Sequence, residues 1–238
     1  SSATGNSPVM AEGPNGEAYL CYINQQNGYP IVKKFNGSSW SDVGSTGIEI
    51  WASNPKIAVD ANGRPYVAFA DVNRNFQLTV MYLNGNQWDT LGPRGFSAFT
   101  SVGELDLETN GTTVYAAYQQ YNQIKLWSHT GNPADSWTIR KDGTSESAAT
   151  GFPGSCNLYK TYYDYVFLSY LETTSKKNAV RVLNPTTPGY TTISNNYFSS
   201  AVQGNVEVIA IPTKSYGNVL ISLSKSGSTY LKPYFFLS

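Results

Sequence analysis

Aromatic and polar side chains recur at matching places along this chain, and together they have the chemistry that a sugar requires. Apolar faces of sugar rings stack on aromatic planes, and sugar hydroxyl groups hydrogen-bond to amides and carboxylates. The aromatic candidates lie between predicted strands: Trp51, Phe99 (or Phe96), Phe152 and Tyr197 (or Phe198). The polar candidates follow a recurring apolar strand: Asn24, Asp71, Gln120 (or Gln119), Glu172 and Ser224. These residues predict a ligand-binding surface, although repeated aromatic residues also serve to pack neighbouring repeats together.

Carboxylates near two other predicted strands offer a different chemistry. Hydrolysis of a glycosidic bond requires two carboxyl groups, one as acid and one as base or nucleophile. Glu104 and Glu207 are the catalytic candidates, with Asp106 close to the first. His129 is the only histidine, and its sequence neighbours include neither a metal-ligand set nor a nucleophile, so we predict a solvated turn residue. The sequence therefore favours binding over catalysis and predicts no metal and no cofactor.

An internal repeat determines where these candidates lie. The segment FNGSSWSDVG at 35–44 matches LNGNQWDTLG at 83–92, and Trp137 follows Trp88 by a similar interval. A second element, NGEAYLCY at 15–22, returns as NGRPYVAF at 62–69 and NGTTVYAAY at 110–118. Weaker versions are YDYVFLSY at 163–170 and GNVLISL at 217–223. Five such units fill the 238 residues.

Each unit reads as four short strands joined by hairpins, because apolar residues alternate between Asn-Gly turns. This pattern predicts an all-β chain, a five-bladed β-propeller of four-stranded antiparallel blades, in one domain over 1–238. The blades span about 7–47, 48–97, 98–148, 149–199 and 200–238, and the last lacks an evident outer strand. A β-sandwich is the alternative, but it gives no reason for a repeated Trp. We predict that Trp40, Trp88 and Trp137 close the outer edges of their blades.

Composition excludes several classes of partner. The chain has 16 basic and 16 acidic residues, so it lacks the cationic surface that nucleic-acid binding requires. Its apolar runs are too short for membrane insertion. Cys21 and Cys156 would fall in blades that do not touch, so we predict two buried free thiols. We also predict a monomer.

The segments VDANGRPYVAFAD at 59–71 and FNGSSWSDVG at 35–44 resemble propeller repeats of secreted or surface-attached bacterial proteins. The overall plan is also similar to compact five-bladed lectins, which bind sugar in each blade. This resemblance implies an extracellular, periplasmic or cell-surface location, with a glycan or surface polysaccharide as partner. Three functions follow as predictions: a carbohydrate-binding module that uses top-face loops and the mouth of the central channel, a glycan-active hydrolase or lyase, or a protein-interaction or spacer domain of a larger surface protein.

Overall fold

A computed structural model describes residues 5–45, 47–97, 102–121, 123–140, 149–150, 156–160, 166–171, 178–183, 190–192, 206–211, 218–225 and 228–235. The chain divides into two compact units. Unit 1 comprises Ser1–Ala116 with His129–Thr138, and unit 2 comprises Ala117–Ser128 with Ile139–Ser238.

The described residues form short strands grouped into sheets in chain order. The first sheet contains β1 (Gly5–Glu12), β2 (Ala18–Asn24), β3 (Pro30–Phe35) and β4 (Trp40–Asp42). The second contains β5 (Ala52–Val59), β6 (Pro65–Asp71), β7 (Gln77–Asn84) and β8 (Gln87–Thr90). The third contains β9 (Leu105–Thr109), β10 (Val114–Gln120), β11 (Gln123–His129) and β12 (Thr138–Arg140), and β13 (Ala149–Thr150) pairs with β11. The fourth contains β14 (Asn157–Lys160), β15 (Val166–Leu171), β16 (Asn178–Leu183) and β17 (Tyr190–Thr192), and the fifth contains β18 (Val206–Ile211), β19 (Asn218–Lys225) and β20 (Ser228–Phe235).

Consecutive strands of the first two sheets pair antiparallel, as hairpins require. The turn between β3 and β4 shows the local cause. Asn36 Oδ1 accepts hydrogen bonds from the backbone N–H groups of Ser38 and Ser39, and Gly37 adopts a φ of 97° that favours glycine. The predicted all-β chain with four-stranded antiparallel sheets is confirmed, whereas the closed ring of five blades stays a prediction. Among the described residues, the fifth sheet has three strands.

A continuous apolar core joins the first two sheets of unit 1. It includes Tyr19, Cys21 and Ile23 from β2, and Val67 and Phe69 from β6. Because side chains alternate along a strand, β2 uses one face for this core, whereas every residue of β6 is buried. The second sheet is therefore covered on both faces. No helix in the described part of the chain is long and apolar enough to cross a membrane.

Two of the recurrent tryptophans link neighbouring outer strands of unit 1. Trp88 Nε1 donates a hydrogen bond to the Val43 carbonyl at 3.0 Å, and Trp137 Nε1 donates to the Leu91 carbonyl at 2.7 Å. A glycine with positive φ follows each acceptor, Gly44 at 90° and Gly92 at 73°. A Cβ on either glycine would lie 2.8 Å from the partner indole. We call each arrangement a tryptophan clasp.

The structural role predicted for Trp88 and Trp137 agrees with these contacts, but Trp40 differs because its side chain is 43% exposed. The prediction for His129 was wrong. This residue ends β11, is only 2% exposed and lies with its ring centroid 5.0 Å from that of Trp137. Loop residues of unit 1, among them Gly131 and Asp135, cover the imidazole. Sequence spacing alone does not reveal this burial. Cys21 and Cys156 are both buried, as predicted.

Candidate functional site

A pocket of about 500 Å³ opens in unit 1 where the β2–β3 loop meets the beginning of β5. The inner strands β1 and β5 complete its wall. The lining residues share one property, which is that none of them is charged. They are Asn6, Ser7, Ile23, Asn24, Gln25, Gln26, Asn27, Gly28, Trp51, Ala52, Ser53 and Asn54. We call this cavity the Trp51 pocket, and it brings together two residues predicted from the sequence, Trp51 and Asn24.

Trp51 is an exposed side chain on a firmly held backbone. Its side chain is 55% exposed, yet its carbonyl accepts a hydrogen bond from Val72 N at 2.9 Å. The next residue, Ala52, donates its N–H to the Gly28 carbonyl at 3.0 Å. The backbone on both sides of the indole is thus fixed to neighbouring loops.

Gly28 provides the surface on which the Trp51 indole lies. A Cβ at this position would lie 2.2 Å from Trp51 Cδ1 and 2.4 Å from Nε1, so a side chain would displace the ring. The φ of Gly28 is 73°, which also disfavours any other residue. The conformation of this loop is maintained by Gly28 N, which donates to the Asn24 carbonyl at 2.8 Å.

Two matching β-bulges shape the inner wall of the pocket. The β1–β2 register shifts between Asn6 and Val9, and the β5–β6 register shifts between Ser53 and Lys56. Ser7 and Asn54 each have a φ of 51° and each precede a proline. Bulges redirect side chains at functional sites. The two bulges were not predicted from the sequence, although the similar segments NSP at 6–8 and SNP at 53–55 indicate them.

Amide groups dominate the polar chemistry of the pocket. Gln25 Nε2 donates to Asn6 Oδ1 at 2.6 Å, which connects the β2–β3 loop to the first bulge. Asn54 Nδ2 donates to the Gly103 carbonyl at 3.2 Å. Uncharged donors and acceptors beside an indole suit a polar, uncharged ligand with an apolar face. Within the described residues, no group of three His, Cys, Asp or Glu side chains could hold a metal ion.

Asp71 has the same register position as Asn24 but a different environment. It is fully buried, and the Arg94 guanidinium binds both of its carboxylate oxygens, with Nη2 2.9 Å from Oδ1. Thr79 Oγ1 also donates to it at 3.2 Å. The hydrogen bond that Arg94 donates to the Asp71 carboxylate raises the pKa of Arg94 above its usual value. Asp71 is therefore committed to an ion pair in this structure, and its predicted contact with a ligand stays a prediction.

The other predicted residues lie elsewhere. Gln120 is 5% exposed at the end of β10, and the neighbouring Gln119 donates Nε2 to the Tyr121 carbonyl at 3.1 Å. Glu104 is exposed one residue before β9, and Glu207 belongs to β18, but its side chain lies outside the described residues. The remaining candidates also lie outside the described residues: Phe99, Phe152, Glu172 and Tyr197. The hydrolase hypothesis therefore stays untested.

Solved structures similar to this chain include lectins and a sialidase. The fucose-specific lectin from Aleuria aurantia, a six-bladed β-propeller, matches with a TM-score of 0.61 and 17% identity, covering 97% of this chain and 78% of the lectin. SapL1 lectin, solved with alpha methyl fucoside, matches with a TM-score of 0.63 and 12% identity, covering 98% of this chain and 78% of the lectin. The Hadza microbial sialidase Hz136 matches with a TM-score of 0.56 and 12% identity over 93% of this chain. The chain spans about half of that enzyme, 53% of its length.

These likenesses show a β-propeller fold. No protein-family model matches the chain, and no curated protein sequence matches it.

Proposed function

We propose that this chain is a carbohydrate-binding β-propeller of five blades that binds a glycan in the Trp51 pocket. Five repeats in the sequence support the number of blades. The fucose-binding lectins among its structural neighbours support a glycan as partner. The proposal includes a secreted or cell-surface setting, where glycans are accessible to a binding module.

The observation that carries the proposal is the exposed indole on a fixed backbone. A large aromatic side chain left 55% exposed loses the stabilisation that burial would give it. Trp51 nevertheless packs closely against Gly28, where the absence of a Cβ leaves room for the indole. Such a ring presents an ordered apolar plane to the C–H face of a sugar.

The groups around the indole fit sugar hydroxyl groups and do not fit hydrolysis. Side-chain amides of Asn6, Asn24 and Asn27 can exchange hydrogen bonds with hydroxyl groups. Cleavage of a glycosidic bond requires carboxyl groups on both sides of that bond, and the lining residues that the structure describes include no Asp or Glu. The pocket is therefore suited to binding.

A glycan array of the purified chain, followed by calorimetric titration of the glycans that bind, tests the proposal. Trp51→Ala removes the stacking plane and is expected to weaken binding roughly 30-fold or more, about 2 kcal/mol, as for an aromatic anchor. Trp40→Ala is the matched control, because Trp40 is also exposed but does not line the pocket. Absence of any bound glycan, or equal affinities for the wild type and Trp51→Ala, would contradict the proposal.

A further inference from the structure

Two amides of the β2–β3 loop each have a fixed orientation. Asn24 Oδ1 accepts a hydrogen bond from Gln26 N at 2.9 Å, and Asn27 Oδ1 accepts one from Tyr29 N at 3.0 Å. A backbone N–H can donate only to the amide oxygen, so the oxygen and nitrogen positions follow from these contacts. Within the described residues, neither NH2 group has a partner. Both asparagines therefore offer donors in the Trp51 pocket.

Asn54, at the bulge of β5, has the reverse arrangement. Its Nδ2 donates to the Gly103 carbonyl at 3.2 Å, which leaves Oδ1 as the atom without a partner among the described residues. The described lining residues thus include side-chain donors at Asn24 and Asn27 of the β2–β3 loop, and side-chain acceptors at Asn54 Oδ1 of the β5 bulge and Gln25 Oε1 of the loop.

The pocket also has apolar lining residues and no charged ones among those described, and both properties restrict the ligand. Ile23 and Ala52, 8% and 3% exposed, line the pocket together with Trp51. In the described part of the chain, no side chain that lines the pocket is charged. A ligand carboxylate or ammonium group would lose water here without gaining an opposite charge, which is unfavourable.

We infer that the ligand is an uncharged sugar with an acetamido group, an inference that rests on the proposed function. The acetamido carbonyl accepts from the Asn24 and Asn27 amides, its N–H donates to Asn54 Oδ1, and its methyl group contacts the apolar wall. A hydroxyl group in the same place would make no such apolar contact, because it carries no methyl group. The ring itself stacks on Trp51.

Calorimetric titration with four methyl glycosides tests this assignment: those of N-acetylglucosamine, glucose, glucosamine and glucuronic acid, together with their galacto counterparts. The acetamido sugar of one series is expected to bind about tenfold more tightly than its parent hexose, because its methyl group buries apolar surface and its carbonyl and N–H are separate atoms that can meet the donors and the acceptor together. Equal or tighter binding of the parent hexose would overturn the inference while leaving the proposed function in place. If none of these sugars and no array glycan binds, the proposed function fails as well.

Isosteric variants test whether the Asn24 and Asn27 amides cause the preference for the acetamido sugar. Asn24→Asp and Asn27→Asp keep the oxygen that the loop N–H requires but remove the NH2 donors, so the preference for the acetamido sugar should fall and glucosamine should gain affinity. Asn36→Asp is the control, because Asn36 Oδ1 accepts backbone N–H groups in the same way but lies outside the pocket. An unchanged preference in both pocket variants would contradict the inference.

Discussion

Trp40 and Trp88 occupy the same repeat position, yet the first is 43% exposed and the second 9%. In the sheet register, Trp40 lies opposite Phe35 and Trp88 lies opposite the equivalent residue, Leu83. Trp88 forms a clasp with the peptide before Gly44, whereas Trp40 lies beside Phe35 with ring centroids 5.2 Å apart. The repeat supplies the indole, but the neighbouring strand that accepts its N–H determines whether the indole is buried.

The surrounding sheet faces differ in the same way. Ile57 of the second sheet is 7% exposed, whereas Met10, at the equivalent register position of the first sheet, is 63% exposed. Buried Val59 is replaced at its equivalent position by exposed Glu12. Side chains of the first sheet are adapted to more water than their counterparts in the second.

Alanine substitution of the two tryptophans should produce the largest difference in stability between the two sheets. Trp88→Ala should lower the free energy of unfolding by roughly 3–5 kcal/mol, because it opens a cavity and leaves the Val43 carbonyl without its donor. Trp40→Ala should cost about 1 kcal/mol or less, because its ring is largely solvated. Urea denaturation measures both, and similar losses would show that the clasp does not distinguish the two residues.

Glycine substitution separates the clasp from the backbone conformation. Gly44→Ala should destabilise the protein by about 1–2 kcal/mol from its positive φ alone, with a further loss because the new Cβ displaces Trp88. Gly37→Ala has a similar φ of 97° but no atom within 4 Å of its Cβ, so it measures the conformational part. If both variants lose the same stability, the close approach at Gly44 has no energetic consequence.

We expect the stability of the region around the Trp137 clasp to depend on pH. His129 lies beside the Trp137 clasp, and burial lowers its pKa from the usual 6.5. Its Nδ1 accepts the Gly131 N–H at 3.1 Å, which requires an unprotonated nitrogen. The unfolded chain binds a proton more readily than the folded chain, so stability should fall as pH decreases below about 6.5.

Urea denaturation at pH 7, 6 and 5 tests this dependence. His129→Gln cannot be protonated in this range, so the loss of stability on acidification should be smaller in the variant than in the wild type. Identical losses in both proteins would exclude His129 as the group responsible.

The repeats could be predicted from the sequence because they depend on local chemistry. Asn-Gly pairs form hairpins and alternating apolar residues form strands whatever surrounds them, as at Asn36 and Gly37. The site was predictable only in part. Asn24 and Asp71 have the same register position, but Asp71 binds Arg94, whose approach depends on a distant loop. The burial of His129 likewise depends on how the chain folds around its ring, which lies beside Trp137 and close to Gly92.

The hydrogen bonds on both sides of Trp51 have a consequence for the rate and entropy of association. Because the Gly28 carbonyl and the Val72 N–H already hold this backbone, the ordering of the stacking surface is completed when the chain folds. An arriving ligand then restricts only its own freedom and that of a few amide side chains, which is the condition for preorganised recognition.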